Sequence, residues 1–209
     1  MSASPIDRLL IAADNALRTL SGVATASRPT PGAASADSGE PSERKHVAGL
    51  MRVNHAGEIC AQALYSGQAL VARDARVRGA LEKAAMEERD HLRWCRERLD
   101  ELGGRPSLFD PLWFTGAFAL GVASGLAGDR WSLGFLVETE SQVEHHLDGH
   151  IAQLPAVDAR SRAILEQMRS DEIAHGASGE QLGARALPMP VKVAMKLAAR
   201  VMTRTAYKV

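Results

Sequence analysis

In the segments 88–91 and 172–175, a glutamate lies three residues before a histidine. On an α-helix, residues three apart lie on one face, so each segment can direct a carboxylate and an imidazole at one metal ion. Mixed oxygen and nitrogen ligands without thiolates favour iron or manganese over structural zinc. This spacing often arises by chance, so the interpretation depends on the elements that position the two units.

The apolar pattern from 46 to 186 predicts four long helices around these units. Their predicted ranges are about 46–74, 76–102, 130–154 and 158–186. Short turns join the first two helices and the last two, and a long connection joins the pairs. Two antiparallel hairpins with one long crossover are typical of ferritin-like four-helix bundles. The sequence therefore predicts an all-α, ferritin-like fold.

Each predicted hairpin brings one further glutamate level with its Glu-x-x-His unit. Glu58 lies 30 residues before Glu88, and Glu140 lies 32 residues before Glu172. With a turn near the middle of each interval and a rise of about 1.5 Å per residue, the paired glutamates lie within about one helical turn of each other. A glutamate from each of two helices, plus Glu-x-x-His from each of the other two, is the ligand pattern of di-iron and di-manganese carboxylate bundles.

This pattern yields six candidate metal ligands. They are Glu58, Glu88, His91, Glu140, Glu172 and His175. Four carboxylates offset the charge of two divalent cations, and so many acids in a core without metal would be very costly. The alternative is that all six lie on solvated helix faces, as helix glutamates usually do. We favour metal, because otherwise both hairpins would mimic the pattern independently.

The acids Glu87 and Asp171 directly precede the glutamates of the two units. A metal-bound imidazole commonly donates its second N–H to a carboxylate. We predict that Asp171 reaches His91 and that Glu87 reaches His175, in each case across the bundle. The alternative is that both acids are exposed.

Other polar side chains near these segments are assigned to the core or the surface in preference to chemistry. They are His55, Tyr65, Glu144, His145, His146 and His150. For Glu144 the alternative is a ligand in place of Glu140, and for Tyr65 it is an electron relay. His145 or His146 could line a substrate cavity. His146 and His150 could bind a metal together, although no further ligand is evident.

Charge and cysteine content exclude some classes of function. The 25 Lys and Arg residues equal the 25 Asp and Glu residues, which argues against a nucleic-acid partner bound through a global positive field. Cys60 and Cys95 form no disulfide framework and are assigned to buried helix faces. The N-terminus lacks the basic start and unbroken apolar run of a secretory signal, so we expect the site on the cytoplasmic side.

Two segments are predicted to contact a membrane. Residues 111–128 carry no charge but are marginal in length for a span, and Trp113 and Trp131 lie near their ends. We predict a membrane-facing part over 108–130 that lies in one leaflet; the alternative is a buried core helix. A final helix over about 191–207 would favour anionic lipid. Its basic stripe consists of Lys192, Lys196, Arg200 and Arg204.

The first 45 residues are predicted to form a separate N-terminal part, followed by one catalytic domain at 46–209. A short amphipathic helix is predicted over 6–22. Residues 27–43 are rich in Ser, Pro, Ala and Gly and predict a flexible linker. No role is assigned to this N-terminal part.

Several of these segments together resemble the demethoxyubiquinone hydroxylase family of ubiquinone biosynthesis. They are residues 54–58, 87–91, 138–151 and 171–175. The resemblance covers about residues 46–209 and implies that the six candidate ligands hold two Fe²⁺ ions, bridged by Glu88 and Glu172. It also implies O₂-dependent hydroxylation of a polyprenylated demethoxyubiquinol at the cytoplasmic face of the bacterial inner membrane.

The resemblance implies a membrane-lipid partner, and other ubiquinone biosynthesis enzymes are candidate partners. The chain lacks a GxGxxG motif, so the reductant is expected to be NADH acting directly, a separate reductase or the quinol itself. Two alternatives share part of this picture. A ferritin-like ferroxidase, peroxidase or storage protein would use the same six ligands, and a metal-free membrane scaffold would use none.

Overall fold

The structure of the protein, a computed structural model, describes residues 5–22, 27–32 and 40–209. Within these residues the chain forms seven α-helices and no β-strand, which confirms the all-α prediction. The helices are α1 Pro5–Ser21, α2 Pro41–Val71, α3 Ala75–Glu101, α4 Asp110–Leu126, α5 Asp129–Gln153, α6 Ala159–Gln181 and α7 Met189–Ala206.

The four longest helices pack as two hairpins. Helix α2 lies along α3, and α5 lies along α6; the pairs meet where α3 contacts α6 and α2 contacts α5. The side chains of Asp74 and Asp158 cap α3 and α6, since each accepts a hydrogen bond from a backbone N–H of the first turn. Capped helix starts fix where each hairpin turns, and therefore which residues of the paired helices lie side by side.

Helix α2 begins at Pro41, earlier than the predicted start, so residues 41–43 are helical and the predicted linker over 27–43 is wrong there. Proline is tolerated at a helix start because its missing N–H has no intrahelical partner at that position. The Glu43 side chain also accepts a hydrogen bond of 3.1 Å from the backbone N–H of Glu40. Both features extend α2 toward the N-terminus.

Helix α6 ends at Gln181, five residues before the predicted end. Gly183 has a φ of +90°, a conformation that glycine adopts without steric cost and that does not continue a right-handed helix. The chain then leads into α7 through residues 182–188.

The long crossover contains α4, which packs tightly along α2. A Cβ added at Gly121 would lie 2.2 Å from the carbonyl oxygen of Leu64, and one added at Gly67 would lie 2.5 Å from that of Phe118. These glycines allow the two backbones to approach closely. The crossover is therefore fixed to the same hairpin that supplies Glu58.

Helix α4 is buried on one side only. Phe114 is buried toward α2, whereas Leu112 and Leu126 are 60% and 61% exposed. The exposed side contradicts the alternative of a fully buried core helix. No helix in the described part of the chain is long and apolar enough to cross a membrane.

Two apolar clusters fill the inside of the paired hairpins. One includes Met51, Trp94 and Met168, and the other includes Tyr65 and Leu81. Along α2 the two clusters lie on either side of Glu58, and along α3 on either side of Glu88. The polar residues at this level are thus enclosed by apolar packing above and below, which limits the access of bulk water along the bundle axis.

Candidate metal centre

The six predicted ligands come together inside the bundle, one or two from each of α2, α3, α5 and α6. All six are buried, and His175 is the most exposed at 7%. The alternative that these side chains lie on solvated helix faces is therefore wrong. In each hairpin the first glutamate lies beside the Glu-x-x-His unit, as the spacing along the sequence predicted.

The six side chains form two overlapping groups, in each of which ligand atoms lie within 4.8 Å of one another. One group is Glu58, Glu88, His91 and Glu172. The other is Glu88, Glu140, Glu172 and His175. Glu88 and Glu172 belong to both, which is the arrangement expected for carboxylates that bridge two ions.

Both imidazole rings present Nδ1 to the carboxylates. His91 Nδ1 lies 3.0 Å from Glu88 Oε2 and 3.3 Å from Glu172 Oε1. His175 Nδ1 lies 3.3 Å from Glu88 Oε1 and 3.4 Å from Glu172 Oε2. The terminal carboxylates Glu58 and Glu140 lie 3.5 Å from the nearer Nδ1 in each half. The site is thus close to two-fold symmetric.

The other ring nitrogen of each histidine contacts an acid from the opposite hairpin. His91 Nε2 lies 2.9 Å from Asp171 Oδ2, and His175 Nε2 lies 2.7 Å from Glu87 Oε2. Both predicted pairings across the bundle are confirmed. A carboxylate that accepts the Nε2–H leaves the lone pair on Nδ1, where it can bind a cation.

The electrostatics of the centre reflect buried acids in close contact. Burial and the neighbouring carboxylate of Glu88 raise the pKa of Glu58, and burial and Glu172 raise the pKa of Glu140. Burial acts in the same direction on Glu88, but the charge on His91 and the close approach of both imidazoles lower its pKa below the usual range. Such a site needs positive charge, from protons or from cations.

Several ligand atoms lack a hydrogen-bond partner among the described residues. They are Glu58 Oε2, Glu88 Oε1, Glu140 Oε2, Glu172 Oε2 and His175 Nδ1. Buried polar atoms without partners are costly. These oxygens and nitrogens are also the donors that a pair of divalent cations requires, so the residues present fit a two-metal site.

The remaining polar candidates lie outside the two ligand groups. His55 Nδ1 lies 3.3 Å from Asp110, and Glu144 lies 3.7 Å from Arg169, so Glu144 does not take the place of Glu140. The rings of His146 and His150 are 3.9 Å apart, and they form no cluster of three or more metal-ligating groups in the described part of the chain. His145 is exposed.

Two contacts near the centre could not be found from the sequence pattern. The hydroxyl of Tyr65, a residue assigned to the core, donates a hydrogen bond to Glu140. Arg28 lies in the segment predicted as a flexible linker, yet its guanidinium pairs with Asp171, the acid next to His91. Residues 27–32 are thus held against α3 and α6, and the linker prediction is wrong for them; residues 33–39 lie outside the described residues.

A cleft of about 170 Å³ opens between α3, α5 and α6 beside the centre. Its wall includes Glu87, Asp171 and His175, so it reaches the outer edge of the candidate metal ligands. Lys83 lies at the same wall and pairs with Glu87 at 3.1 Å. The cleft offers small polar species a route from solvent to the His175 side of the centre.

Comparison with known proteins identifies a family. The sequence profile described as "Ubiquinone biosynthesis protein COQ7" matches residues 45–206. Three relatives are each named 3-demethoxyubiquinol 3-hydroxylase. That of Chromobacterium violaceum is 57% identical over 98% of this chain, that of Polynucleobacter necessarius is 55% identical over 99%, and that of Ralstonia pickettii is 54% identical over 98%.

Each of these three relatives is covered over its full length. Because the alignments extend over 98% or more of this chain, they include most of the first 45 residues, which the family profile leaves out. The N-terminal part therefore lies within the similarity to these relatives, although the initial resemblance left it outside.

Proposed function

The chain belongs to the family of the ubiquinone biosynthesis protein COQ7, and from this membership we propose that it is a monooxygenase that hydroxylates the ring of a polyprenylated 3-demethoxyubiquinol. The observation that carries the proposal is the pair of overlapping ligand groups that share Glu88 and Glu172. Relatives named as hydroxylases favour this activity over a ferroxidase, peroxidase or storage role, which would use the same ligands.

We further propose that the centre holds two iron ions, in a ferritin-like bundle made by α2, α3, α5 and α6. Four carboxylates and two imidazoles suit ferrous iron. When bound, two ferrous ions would supply two electrons to O₂, so that one oxygen atom enters the ring and the other leaves as water. NADH or the quinol itself would then restore the two electrons.

The residues of the chain contribute binding, orientation and exclusion of water. Glu88 and Glu172 lie between the two histidines, where each carboxylate can span both ions. Asp171 and Glu87 orient the imidazoles through Nε2, so that Nδ1 faces the ligand groups. The apolar clusters on both sides of this level keep bulk water from a reactive site.

We propose that the protein binds the cytoplasmic face of the inner membrane through α1, α4 and α7, and takes its substrate from the lipid. Exposed apolar residues on these three helices include Leu10, Leu17, Leu112, Leu120, Val193, Leu197 and Val201. Ala16 of α1 packs against the apolar cluster that contains Phe114 of α4, and Trp113 of α4 and Met202 of α7 both pack against another cluster. The shared clusters bring parts of the three helices near one another, and we propose that their exposed apolar residues form one apolar surface.

Basic side chains border the apolar surface on α7. Lys196, Arg200 and Arg204 are exposed, as expected for contact with anionic headgroups. Lys192, also assigned to the basic stripe, pairs instead with Glu138 on α5 at 2.7 Å. A polyprenyl tail that stays in the lipid would thus lie next to the helices that carry the surface.

The activity is tested by loading the protein with Fe²⁺ without oxygen, adding O₂, reductant and a prenylated demethoxyquinol, and measuring the product by mass spectrometry. We expect one added oxygen atom. His91→Ala and Glu172→Ala are expected to abolish it while circular dichroism shows retained helices. Turnover by either variant would remove the proposed role of the centre, and less than one iron per chain in the wild type would favour a metal-free scaffold.

Membrane binding is tested by sedimentation with vesicles that contain phosphatidylglycerol. Charge on the apolar surface opposes burial in lipid, so a Leu197→Glu, Val201→Glu double variant is expected to leave at least 10-fold more protein in the supernatant. Val157→Glu is the control, because Val157 is a 51% exposed apolar residue in the turn between α5 and α6. Equal binding of the double variant and the control would contradict the proposed surface.

A further inference from the structure

Residues 27–32 cross the junction of α3 and α6 on the outside of the centre. The backbone N–H of Ser27 donates a hydrogen bond of 2.6 Å to Asp90, a residue of α3 that is 1% exposed. Thr30 donates a hydrogen bond from its hydroxyl to Glu97, further along the same helix. This segment, which we call the strap, is therefore fixed to α3 at two points on either side of Arg28.

Arg28 joins the two helices that carry the histidines. Its Nε lies 2.7 Å from Asp90 on α3, and its Nη1 lies 2.8 Å from Asp171 on α6. The guanidinium also lies over the ring of Trp94, 4.8 Å from its centroid. The ring centroids of Trp94 and His91 are 5.3 Å apart. A planar guanidinium suits this arrangement because it can face two carboxylates and an aromatic ring at once.

One oxygen of Asp171 serves both Arg28 and His91. Oδ2 accepts from Arg28 Nη1 at 2.8 Å and lies 2.9 Å from His91 Nε2. Arg28 thus fixes the position of the atom that orients the imidazole. Arg28 does not contact the candidate ligands itself; it contacts Asp171, which contacts His91.

The His175 half of the centre has no comparable contact in the described part of the chain. Its acid, Glu87, pairs with Lys83, whose side chain is 70% exposed, and both line the cleft. An exposed ion pair holds a side chain weakly. The two halves of the centre have matching candidate ligands. They differ in the contacts that hold the acid beside each histidine.

We propose that Arg28 is a positioning residue for the metal centre, and that by holding Asp171 against His91 it makes the His91 metal position the slower of the two to release its ion. The proposal rests on the proposed metal centre and adds a difference between its two positions. Acids that support a ligating histidine typically contribute 10- to 100-fold to metal affinity, so a residue that holds such an acid should contribute measurably.

The test uses the full-length protein loaded with Co²⁺, which reports its ligands through its visible spectrum. Release to an excess of chelator is followed by absorbance. For the wild type we expect two ions per chain and two phases of release. For Arg28→Gln we expect two ions still bound, the slow phase accelerated about 10-fold, and a change in the spectrum of the slow-releasing ion. Arg28→Lys keeps the charge but cannot face both acids, and its rate should lie in between.

Two control variants separate the effect of Arg28 from that of a general loosening of the strap or of the other half of the centre. Thr30→Val removes the side-chain hydrogen bond from the strap to Glu97, and Lys83→Gln removes the ion pair of Glu87. Both variants should leave the slow phase within about twofold of the wild type. Thermal unfolding of each metal-free variant checks that the fold is retained.

Other outcomes would overturn the proposal. It fails if Arg28→Gln releases both ions at wild-type rates, if Thr30→Val accelerates the slow phase equally, or if Arg28→Lys behaves as the wild type. A wild type that binds no Co²⁺ would instead contradict the metal centre itself, so the two failures are distinguishable.

Discussion

The hydroxyl of Tyr65 donates a hydrogen bond of 2.6 Å to Oε1 of Glu140, from α2 to α5 in the bundle interior. Tyr65 is fully buried, and burial together with the Glu140 carboxylate raises the pKa of the phenol, so the hydroxyl stays protonated and remains a donor. Glu140 Oε2 has no partner among the described residues. The contact therefore fixes one oxygen of Glu140 and leaves the other for a cation.

Replacement of Tyr65 by phenylalanine should weaken the metal position next to His175. Loss of a hydrogen bond to a charged group costs about 1.5–3 kcal/mol, so we expect affinity for one of the two ions to fall at least 10-fold. Calorimetric titration with Mn²⁺ measures both affinities. Tyr207→Phe is a matched control, because the Tyr207 hydroxyl contacts His46 instead, at 2.7 Å. Unchanged affinities in Tyr65→Phe would contradict this role.

Glu58→Gln should reduce the stabilisation of the protein by bound metal without reducing the stability of the metal-free protein. Glutamine keeps the shape of the side chain but removes a buried acid close to Glu88, so the metal-free variant should unfold at or above the wild-type temperature. At 100 times the dissociation constant, a bound ion stabilises a protein by about 2.7 kcal/mol. We expect the Mn²⁺-induced rise in Tm to shrink in this variant.

The comparison is made by thermal unfolding with and without Mn²⁺. Glu166→Gln is the control, since Glu166 is exposed on α6. A Glu58→Gln variant that gains as much as the wild type from Mn²⁺ would show that Glu58 is not a ligand.

The close contact of α4 with α2 predicts opposite effects for two alanine substitutions. A Cβ at Gly121 would lie 2.2 Å from the Leu64 carbonyl oxygen, so Gly121→Ala must separate the helices and should cost about 1–3 kcal/mol. Gly116 lies on the exposed side of α4, and no described atom would lie within 4 Å of an added Cβ. Gly116→Ala should therefore stabilise the protein by about 0.5–1 kcal/mol. Urea unfolding measures both, and equal stabilities would refute the packing argument.

His150 should make the protein sensitive to acid. Burial, with smaller contributions from His146 and His46, lowers the pKa of His150 to about 3, whereas an unfolded histidine titrates near 6.5. Below about pH 6.5 His150 binds a proton in the unfolded chain but stays neutral in the folded chain. The free energy of unfolding therefore decreases as the pH falls from about 6.5 toward 3. At pH 5 this linkage amounts to about 2 kcal/mol.

The measurement is urea unfolding of the metal-free protein between pH 8 and pH 5. His150→Gln, which can still donate a hydrogen bond to Asn54, should show a smaller loss of stability on acidification than the wild type. His145→Gln, at an exposed position, is the control. The idea does not survive if both variants lose the same free energy.

The sequence alone was enough to predict the ligand groups because they depend on helical period and hairpin length. Glu88 and His91 share a face at any position in a regular helix, and the level of Glu58 follows from the turn. The pairing of Asp171 with His91 was also predicted, since it needs only that α3 and α6 face each other. These features are set by local geometry repeated over long elements.

The contacts of Arg28 and Tyr65 were beyond prediction for a different reason. Arg28 lies in a segment without periodicity, and its position is set by carboxylates that are distant in sequence, including Asp171, 143 residues away. The Tyr65 hydroxyl points at Glu140 only because of the side-chain packing of its cluster. The composition of residues 27–43 predicts a flexible segment on average, but the ion pairs of Arg28 with Asp90 and Asp171 hold residues 27–32 in place.

The exchange of acids between the two Glu-x-x-His units makes the halves of the molecule mutually dependent. The residue that steadies His91 belongs to the later hairpin, and the residue that steadies His175 belongs to the earlier one. Either hairpin by itself would keep its carboxylates and imidazole but lose the acceptor that selects the tautomer. Duplication of such a hairpin therefore gives a working centre only when both copies fold against each other, and a change next to one unit alters the histidine of its counterpart.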